Sequence, residues 1–437
     1  MLTNRQVSHG HVRAAANPLR LVRIPRDLEP ITGRSDREVD PASAGMTPDA
    51  IERIWSAAER LFRRGMNPAI TLCVRRNGHV VLDRSLGWAR GGGPADGPDA
   101  VRVPATPDTP FCTFSSSKAV TATVVHQLAE RGIIHLDDRI THYLPEFAGG
   151  GRDAITIAQV LSHRAGIPQL PRDMMDLERL EDPERILEAI PKLRTVHRPG
   201  AAVAYHTISG GFVLGEVVRR ATGKDIRTVL AAGILDPLGF RWTNFGVAPD
   251  DVAQVGLAYP TGPRMVPPIS GLLTRALGMP FDELTELTND PRLLTGIVPA
   301  GNVVSTAHEM SRFMDLLRAG GTLDGVSVLK PRTIRRATAE TSYHEFDRTL
   351  GFPIRYSQGY MLGAKTMSLY GPDTDEAFGH LGFTNVSMWA DPRRELAVGL
   401  ITSGKPVIGP HLDALWRLFR RIGVEAPKVK EPQLYKG

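Results

Sequence analysis

The clearest β-strand patterns of this chain lie near its two ends, and this distribution constrains the fold more than any other feature. Two runs near the N-terminus flank Asn77 and Gly78, a pair typical of a tight turn between antiparallel strands. Two more runs near the C-terminus are joined by PRR, and residues 136–345 are mostly helical in pattern. The four runs are AITLCVRR, HVVLDRSLGWA, AFGHLGFTNVSMWAD and ELAVGLITS. The sequence therefore predicts an α+β fold: both chain ends build one antiparallel sheet flanked by helices, and the middle is an inserted helical domain.

The same patterns suggest boundaries along the chain. Residues 1–45 are rich in Arg, Pro and Asp and lack periodicity, so we interpret them as an arm on the surface or partly disordered. A main domain is expected over 46–422, with its α/β part at about 46–135 and 346–422 and its helical part at about 136–345. Residues 423–437 would form a tail. The sequence does not place the apolar, Pro-containing segment 261–285, which could be a lid over a site or a dimer contact.

Composition restricts the classes of partner. The net charge of +6 is the balance of 53 basic and 47 acidic residues without a Lys/Arg block, which disfavours nucleic-acid binding. Cys73 and Cys112 lie among apolar neighbours, which favours a reducing compartment. No signal-peptide pattern or 18-residue apolar run is present, so we expect a cytoplasmic protein without stable membrane insertion. The 13 histidines show no H-E-x-x-H motif, and we expect neither metal nor cofactor. The oligomeric state stays open.

The stretch FCTFSSSKAV contains a candidate nucleophile. If a helix spans 115–131, as its apolar stripe predicts, Ser115 and Lys118 lie on one face one turn apart. A neutral lysine there could take the serine proton, and the helix N-terminus could stabilise an oxyanion. The alternative is an N-cap serine followed by a solvated lysine. A second S-x-x-K, Ser327 to Lys330, precedes Pro331, which disfavours the helix that would bring its side chains together.

Further segments give this motif a context. RPGAAVAYHTISGG contains Tyr205, and AFGHLGFTNV contains His380 and Gly382. Their order resembles the serine β-lactamase-like superfamily: class C β-lactamases, DD-peptidases and family VIII carboxylesterases. LAERGIIHLDDRITHYLPEF, ITIAQVLSHRAGIP and VPAGNVVSTAHEMSRFMDLL are similar to other segments of that family. The resemblance covers roughly residues 47–422 and implies a β-lactamase-like (transpeptidase-like) fold.

The resemblance also implies roles for individual residues. Ser115 would be the acylated nucleophile, Lys118 its base partner, and Tyr205 the proton shuttle of the family's Y-x-N motif. Thr207 stands at the asparagine of that motif.

The family's K-T-G box appears here as His380-Leu381-Gly382. The glycine would let this strand lie close to the substrate, and the Phe383 N–H would complete an oxyanion hole. A neutral imidazole at His380 and a hydroxyl at Thr207 weaken the hold on an anionic β-lactam.

These departures favour a serine hydrolase that cleaves short- to medium-chain carboxylic esters, with a small-molecule ester as its partner. No G-x-S-x-G elbow is present, which disfavours an α/β-hydrolase. The alternatives are β-lactamase or D-amino-acid peptidase activity, acyl transfer to an alcohol or amine, and a non-catalytic scaffold that keeps the fold.

Overall fold

The structure is a computed structural model that describes residues 17–169 and 188–430. Its strands are β1 Thr32–Arg34, β2 Ala69–Arg76, β3 His79–Arg90, β4 Val103–Pro104, β5 Phe111–Cys112, β6 Asn244–Phe245, β7 Val303–Ser305, β8 Thr322–Leu323, β9 Val326–Ser327, β10 Met361–Leu362, β11 Phe378–Leu381, β12 Ser387–Asp391 and β13 Leu396–Thr402. Its α-helices are α1 Pro48–Phe62, α2 Ser117–Glu130, α3 Ile140–Tyr143, α4 Ile157–Leu161, α5 Ser209–Thr222, α6 Ile226–Leu230, α7 Asp236–Leu238, α8 Ile269–Leu277, α9 Phe281–Leu287, α10 Pro291–Thr295, α11 Ala307–Arg318, α12 Pro331–Ala337 and α13 His411–Glu425.

The two ends of the chain meet in one antiparallel sheet with the order β1-β3-β2-β13-β12-β11-β10, and β4 pairs with β3. Between β2 and β3, Asn77 and Gly78 have φ values of +49° and +82°, the left-handed pair that a two-residue hairpin requires. The β2–β13 pairing joins the N-terminal hairpin to the C-terminal strands. The predicted α+β, β-lactamase-like fold is confirmed.

Helices cover both faces of this sheet. Leu72 and Val74 of β2 point into a cluster with α1 and α13, whereas Cys73 between them packs in the cluster that contains α11. This alternation is the two-residue period of a strand buried on both sides. Helix α11 therefore packs on the sheet, although it lies within the range expected for the helical domain.

The N-terminal arm differs from its interpretation as a surface segment. Thr32–Arg34 pairs with Leu86–Arg84 of β3 as an edge strand, and Leu28 and Ile31 are buried beside it. An edge strand offers unpaired backbone groups that a short segment without periodicity can satisfy. Residues 1–16 and 431–437 lie outside the described part of the chain.

The helical lobe surrounds α2, whose residues from Ser117 to Leu128 are all buried. Helices α5 and α6 pack against α2, and the small sheet β5-β7-β6 lies at the base of the turn that precedes it. In the described ranges, no helix has the length and apolar content needed to cross a bilayer.

Candidate active site

The predicted nucleophile lies in a turn rather than in the α-helix expected over 115–131. Phe114–Ser116 forms a 3₁₀ turn, and α2 begins only at Ser117. The Thr113 hydroxyl donates to the Val303 carbonyl at 2.9 Å, and the Ser117 hydroxyl accepts from the Val303 N–H at 2.9 Å. These bonds fasten the turn to β7, and this tertiary attachment delays the start of the helix.

The spacing of Ser115 and Lys118 nevertheless produces the expected contact. Lys118 Nζ lies 3.0 Å from Ser115 Oγ, 2.8 Å from the Thr207 carbonyl and 3.1 Å from the Ala300 carbonyl. The lysine is only 9% exposed, and burial lowers its pKa to about 7. The alternative of a solvated lysine behind an N-cap serine is therefore wrong. The amine that faces the serine is buried, and its pKa is close to neutral pH.

Tyr205 completes a compact group around the serine hydroxyl. Its phenol shares a hydrogen bond with Ser115, and its ring lies 4.8 Å from Lys118 Nζ. The Tyr205 N–H donates to Asp347 at 3.2 Å, and the ring packs on His163 at 4.6 Å between centroids. Because burial raises its pKa well above the usual value, the phenol keeps its proton at neutral pH.

The strand that carries the predicted H-x-G box runs beside the nucleophile turn. The Ser116 hydroxyl donates to the His380 carbonyl at 3.2 Å. A Cβ at Gly382 would lie 2.4 Å from the Thr113 carbonyl, so only glycine allows this approach. The sequence predicts that Gly382 lets its strand lie close to the substrate, whereas in the structure it lets the strand lie close to the nucleophile turn. In the described residues, the N–H groups of Ser115 and Phe383 donate to no acceptor, as oxyanion-hole donors must.

The His380 ring, which the sequence predicts to replace the family's lysine, is neutral. Burial, assisted by the charge of Lys118, lowers its pKa to about 3. Nδ1 lies 2.7 Å from the Leu381 carbonyl and is therefore assigned the proton. Nε2 is buried and has no partner within residues 17–169 and 188–430, which leaves its lone pair as a hydrogen-bond acceptor.

An apolar cleft opens beside Ser115, with about 660 Å³ of space including its mouth. Helices α8 to α10 form its roof, and the segment that the sequence left unplaced supplies Leu277 of α8 and Leu284 of α9 to its lining. Phe114 and Phe383 form one wall with ring centroids 5.3 Å apart, and the ring of Phe281 stacks on Phe383 at 4.4 Å. The other lining residues are Thr207, Ile208, Phe212, Leu287, Thr288, Leu293, Val298, Ala300 and Gly301.

One group away from this site has the residue types of a metal centre. The ligand atoms of Cys73, Asp83 and His308 all lie within 4.8 Å of one another. However, Arg37 Nη2 lies 2.8 Å from an Asp83 oxygen, and Arg75 Nη2 lies 3.2 Å from His308 Nε2. Two guanidinium groups already supply the positive charge, so this cluster does not fit a cation.

Comparison with known proteins agrees with this geometry. The family model described as Beta-lactamase matches residues 58–420. The chain belongs to the beta-lactamase family. The assignment to a serine hydrolase follows, and Ser115, Lys118 and Tyr205 lie inside the matched region.

Individual members of the family are similar over most of their length. Esterase/beta-lactamase LipL of Mycobacterium tuberculosis is 27% identical over 384 residues, 81% of this chain and 84% of that protein. A penicillin-binding protein homologue from Caulobacter crescentus has a TM-score of 0.74 and 27% identity, covering 87% of this chain and 99% of its own. A family VIII carboxylesterase has a TM-score of 0.72 and 26% identity, covering 86% and 98%.

Sequence reasoning missed several residues at the site. Ala300 provides only its carbonyl, which no side-chain pattern reveals, although its segment VPAGNVV resembles the family. Phe281 lies in segment 261–285, for which the sequence predicts no position in the fold. Lys405 follows the last strand and contacts Phe114, and an isolated lysine among small residues was its only signal.

Proposed function

We propose that this protein is a carboxylesterase that hydrolyses short- to medium-chain esters through an acyl-Ser115 intermediate. The observation that supports it most is the contact of the Ser115 hydroxyl with both a buried lysine and a buried tyrosine. A serine hydroxyl becomes nucleophilic when a positioned base accepts its proton. The names of two relatives, an esterase/beta-lactamase and a family VIII carboxylesterase, agree with this chemistry.

In the acylation step, neutral Lys118 accepts the Ser115 proton while Oγ bonds to the ester carbonyl carbon. The carbonyl electrons move to oxygen, where the N–H groups of Ser115 and Phe383 stabilise the negative charge. The carbon–alkoxide bond then breaks as Tyr205 donates its proton to the leaving oxygen, and Lys118 returns a proton to the phenol. The two groups divide the work because burial lowers the pKa of Lys118 to about 7, so that it can accept a proton, and raises the pKa of Tyr205, so that it holds a proton to donate.

Deacylation reverses these proton transfers with water as the nucleophile. The phenol takes up the water proton as it passes its own proton to neutral Lys118, and the new carbon–oxygen bond forms. The bond from the carbonyl carbon to Ser115 Oγ then breaks, and Lys118 returns its proton to Oγ. The products are the carboxylic acid and free enzyme.

The charge at the site favours neutral substrates. His380 offers a lone pair where a β-lactamase-type lysine would attract a carboxylate, and a lone pair repels an anion. The donor of a neutral substrate or a water molecule can bind to Nε2 instead. We therefore propose ester rather than β-lactam preference.

The apolar cleft supports the proposed acyl length. A tetrahedral intermediate directs its oxyanion to Phe383 and its leaving oxygen to Tyr205. The cleft is lined by Ser115 and Phe383 but by neither Tyr205 nor His380, so it takes the remaining substituent, the acyl chain. Its leucine lining suits methylene groups, each of which contributes about 0.8 kcal/mol when buried. We place the protein in the cytoplasm, because both of its cysteines are buried free thiols.

The decisive experiment is an acyl-enzyme mass spectrum combined with rates on p-nitrophenyl butyrate. We expect wild type to gain one butyryl group at Ser115, and Ser115→Ala to lose the adduct and more than about 10³-fold of kcat. Ser327→Ala, in the second S-x-x-K, is the matched control and should behave as wild type. A chromogenic cephalosporin that is hydrolysed faster than every ester would contradict the ester preference, and activity retained in Ser115→Ala would contradict the mechanism.

A further inference from the structure

Lys405 is a second buried lysine, and the mechanism above gives it no role. It follows β13 and is 1% exposed, and its Nζ donates to the Thr402 carbonyl at 2.6 Å. Among residues 17–169 and 188–430, no carboxylate forms an ion pair with it. An ammonium with one carbonyl acceptor is unfavourable in a protein interior unless another group stabilises it.

The face of Phe114 provides that second partner. Lys405 Nζ lies 4.5 Å from the Phe114 ring centroid, which is cation–π distance. Burial lowers the pKa of Lys405 to about 7 while the nearby Cys112 thiol opposes this, and contact with the ring favours the charged form.

Phe114 is itself in an unusual conformation next to the nucleophile. Its φ is +52°, a left-handed conformation that a bulky side chain rarely adopts without support from its surroundings. This backbone precedes Ser115 directly and so sets the direction of the serine N–H and hydroxyl. The same ring stacks on Phe383 at 5.3 Å, and Phe383 carries the second N–H of the oxyanion hole.

We propose that Lys405 is a positioning residue that, through the Phe114 ring, holds Ser115 and the Phe383 N–H in the geometry of the oxyanion hole. Lys405 does not touch the substrate. Its contribution therefore belongs to the transition state, where the oxyanion is held, rather than to substrate binding. The inference rests on the proposed acyl-Ser115 mechanism.

Lys405→Met tests the charge at nearly constant side-chain length. On p-nitrophenyl acetate, whose acyl group is too small to fill the cleft, we expect kcat to fall roughly 10- to 100-fold with KM within about threefold. Thermal unfolding should be unchanged or raised, because an apolar side chain replaces a buried charge. Lys428→Met is the matched control: Lys428 pairs with Asp373 and Asp375 on the surface, and the variant should retain wild-type kcat.

A double-mutant cycle with Phe114→Leu tests whether the effect passes through the ring. If Lys405 acts through Phe114, adding Lys405→Met to Phe114→Leu should lower kcat by less than about twofold further. Fully multiplicative effects, or wild-type kcat in Lys405→Met, would overturn the proposal. If Lys405→Met does not fold, Lys405→Gln takes its place in the same cycle, because its amide can still donate to the Thr402 carbonyl while it lacks the charge. Failure of Ser115 acylation in wild type would instead refute the proposed function.

Discussion

The floor and the roof of the candidate site are built differently. The floor carries Ser115, Lys118 and Tyr205 on elements packed against the sheet and the core of the helical lobe, and each polar group has a defined partner. The roof consists of the short helices α8 to α10, and α8 exposes apolar side chains outward, such as Leu272 at 60%. A rigid polar floor suits chemistry that needs fixed distances, and a thin apolar roof suits recognition of a chain without directional bonds.

This comparison separates the expected effects of substitution. Changes in the floor should lower the rate for every ester by a similar factor. Changes in the roof should alter the ratio between long and short acyl groups and leave the rate on acetate nearly unchanged.

The largest of the further effects is expected for Lys118→Ala. Removal of the base leaves the Ser115 proton without an acceptor, and kcat should fall about 10³-fold on p-nitrophenyl acetate and octanoate alike. Lys330→Ala, in the second S-x-x-K, should show no loss. A loss confined to octanoate would break the comparison, because a floor residue would then act in recognition.

Tyr205→Phe removes one hydroxyl and leaves the ring in place. We expect kcat to fall about 10²-fold with alkyl-alcohol leaving groups and less with p-nitrophenol, which departs without a proton. Rates on ethyl butyrate and p-nitrophenyl butyrate measure this difference. Equal losses on both would place the phenol outside leaving-group protonation.

The pH profile should follow the titration of Lys118. Because its pKa is lowered to about 7 and the neutral amine is the base, kcat/KM should rise as the pH increases from 5 towards 7. Below that value the rate should fall about tenfold per pH unit, since the neutral fraction falls tenfold. Tyr205 has a raised pKa and should cause no decline near neutrality. A profile independent of pH from 5 to 8 would contradict the role of Lys118.

The smallest change in rate is expected for a substitution in the roof. Leu287→Phe reduces the space in the cleft and should lower the octanoate-to-acetate ratio of kcat/KM about fourfold for each methylene displaced, with acetate unchanged within twofold. Leu272→Ala, in the same roof but facing solvent, should leave the ratio as in wild type. An equal loss on acetate would show that the roof supports the floor.

Much of the fold follows from local signals in the sequence. The Asn77-Gly78 hairpin needs a turn with positive φ, and the strand-like runs at both chain ends were paired correctly in one sheet. The one-turn spacing of Ser115 and Lys118 also produced the expected contact, although the helix begins later. Periodicity and turn chemistry are properties of neighbouring residues, so a sequence can reveal them.

The tertiary structure decided what depends on distant partners. Val303 holds the nucleophile turn in a 3₁₀ form, the edge of β3 recruits Thr32–Arg34, and the environment of Lys118 lowers its pKa. The contact of Lys405 with Phe114 joins residues almost 300 positions apart. The sequence by itself determined the main strands and the order of the reactive residues. Only the packing determined burial, and with it the protonation states and the shape of the cleft, because these depend on every neighbour in space.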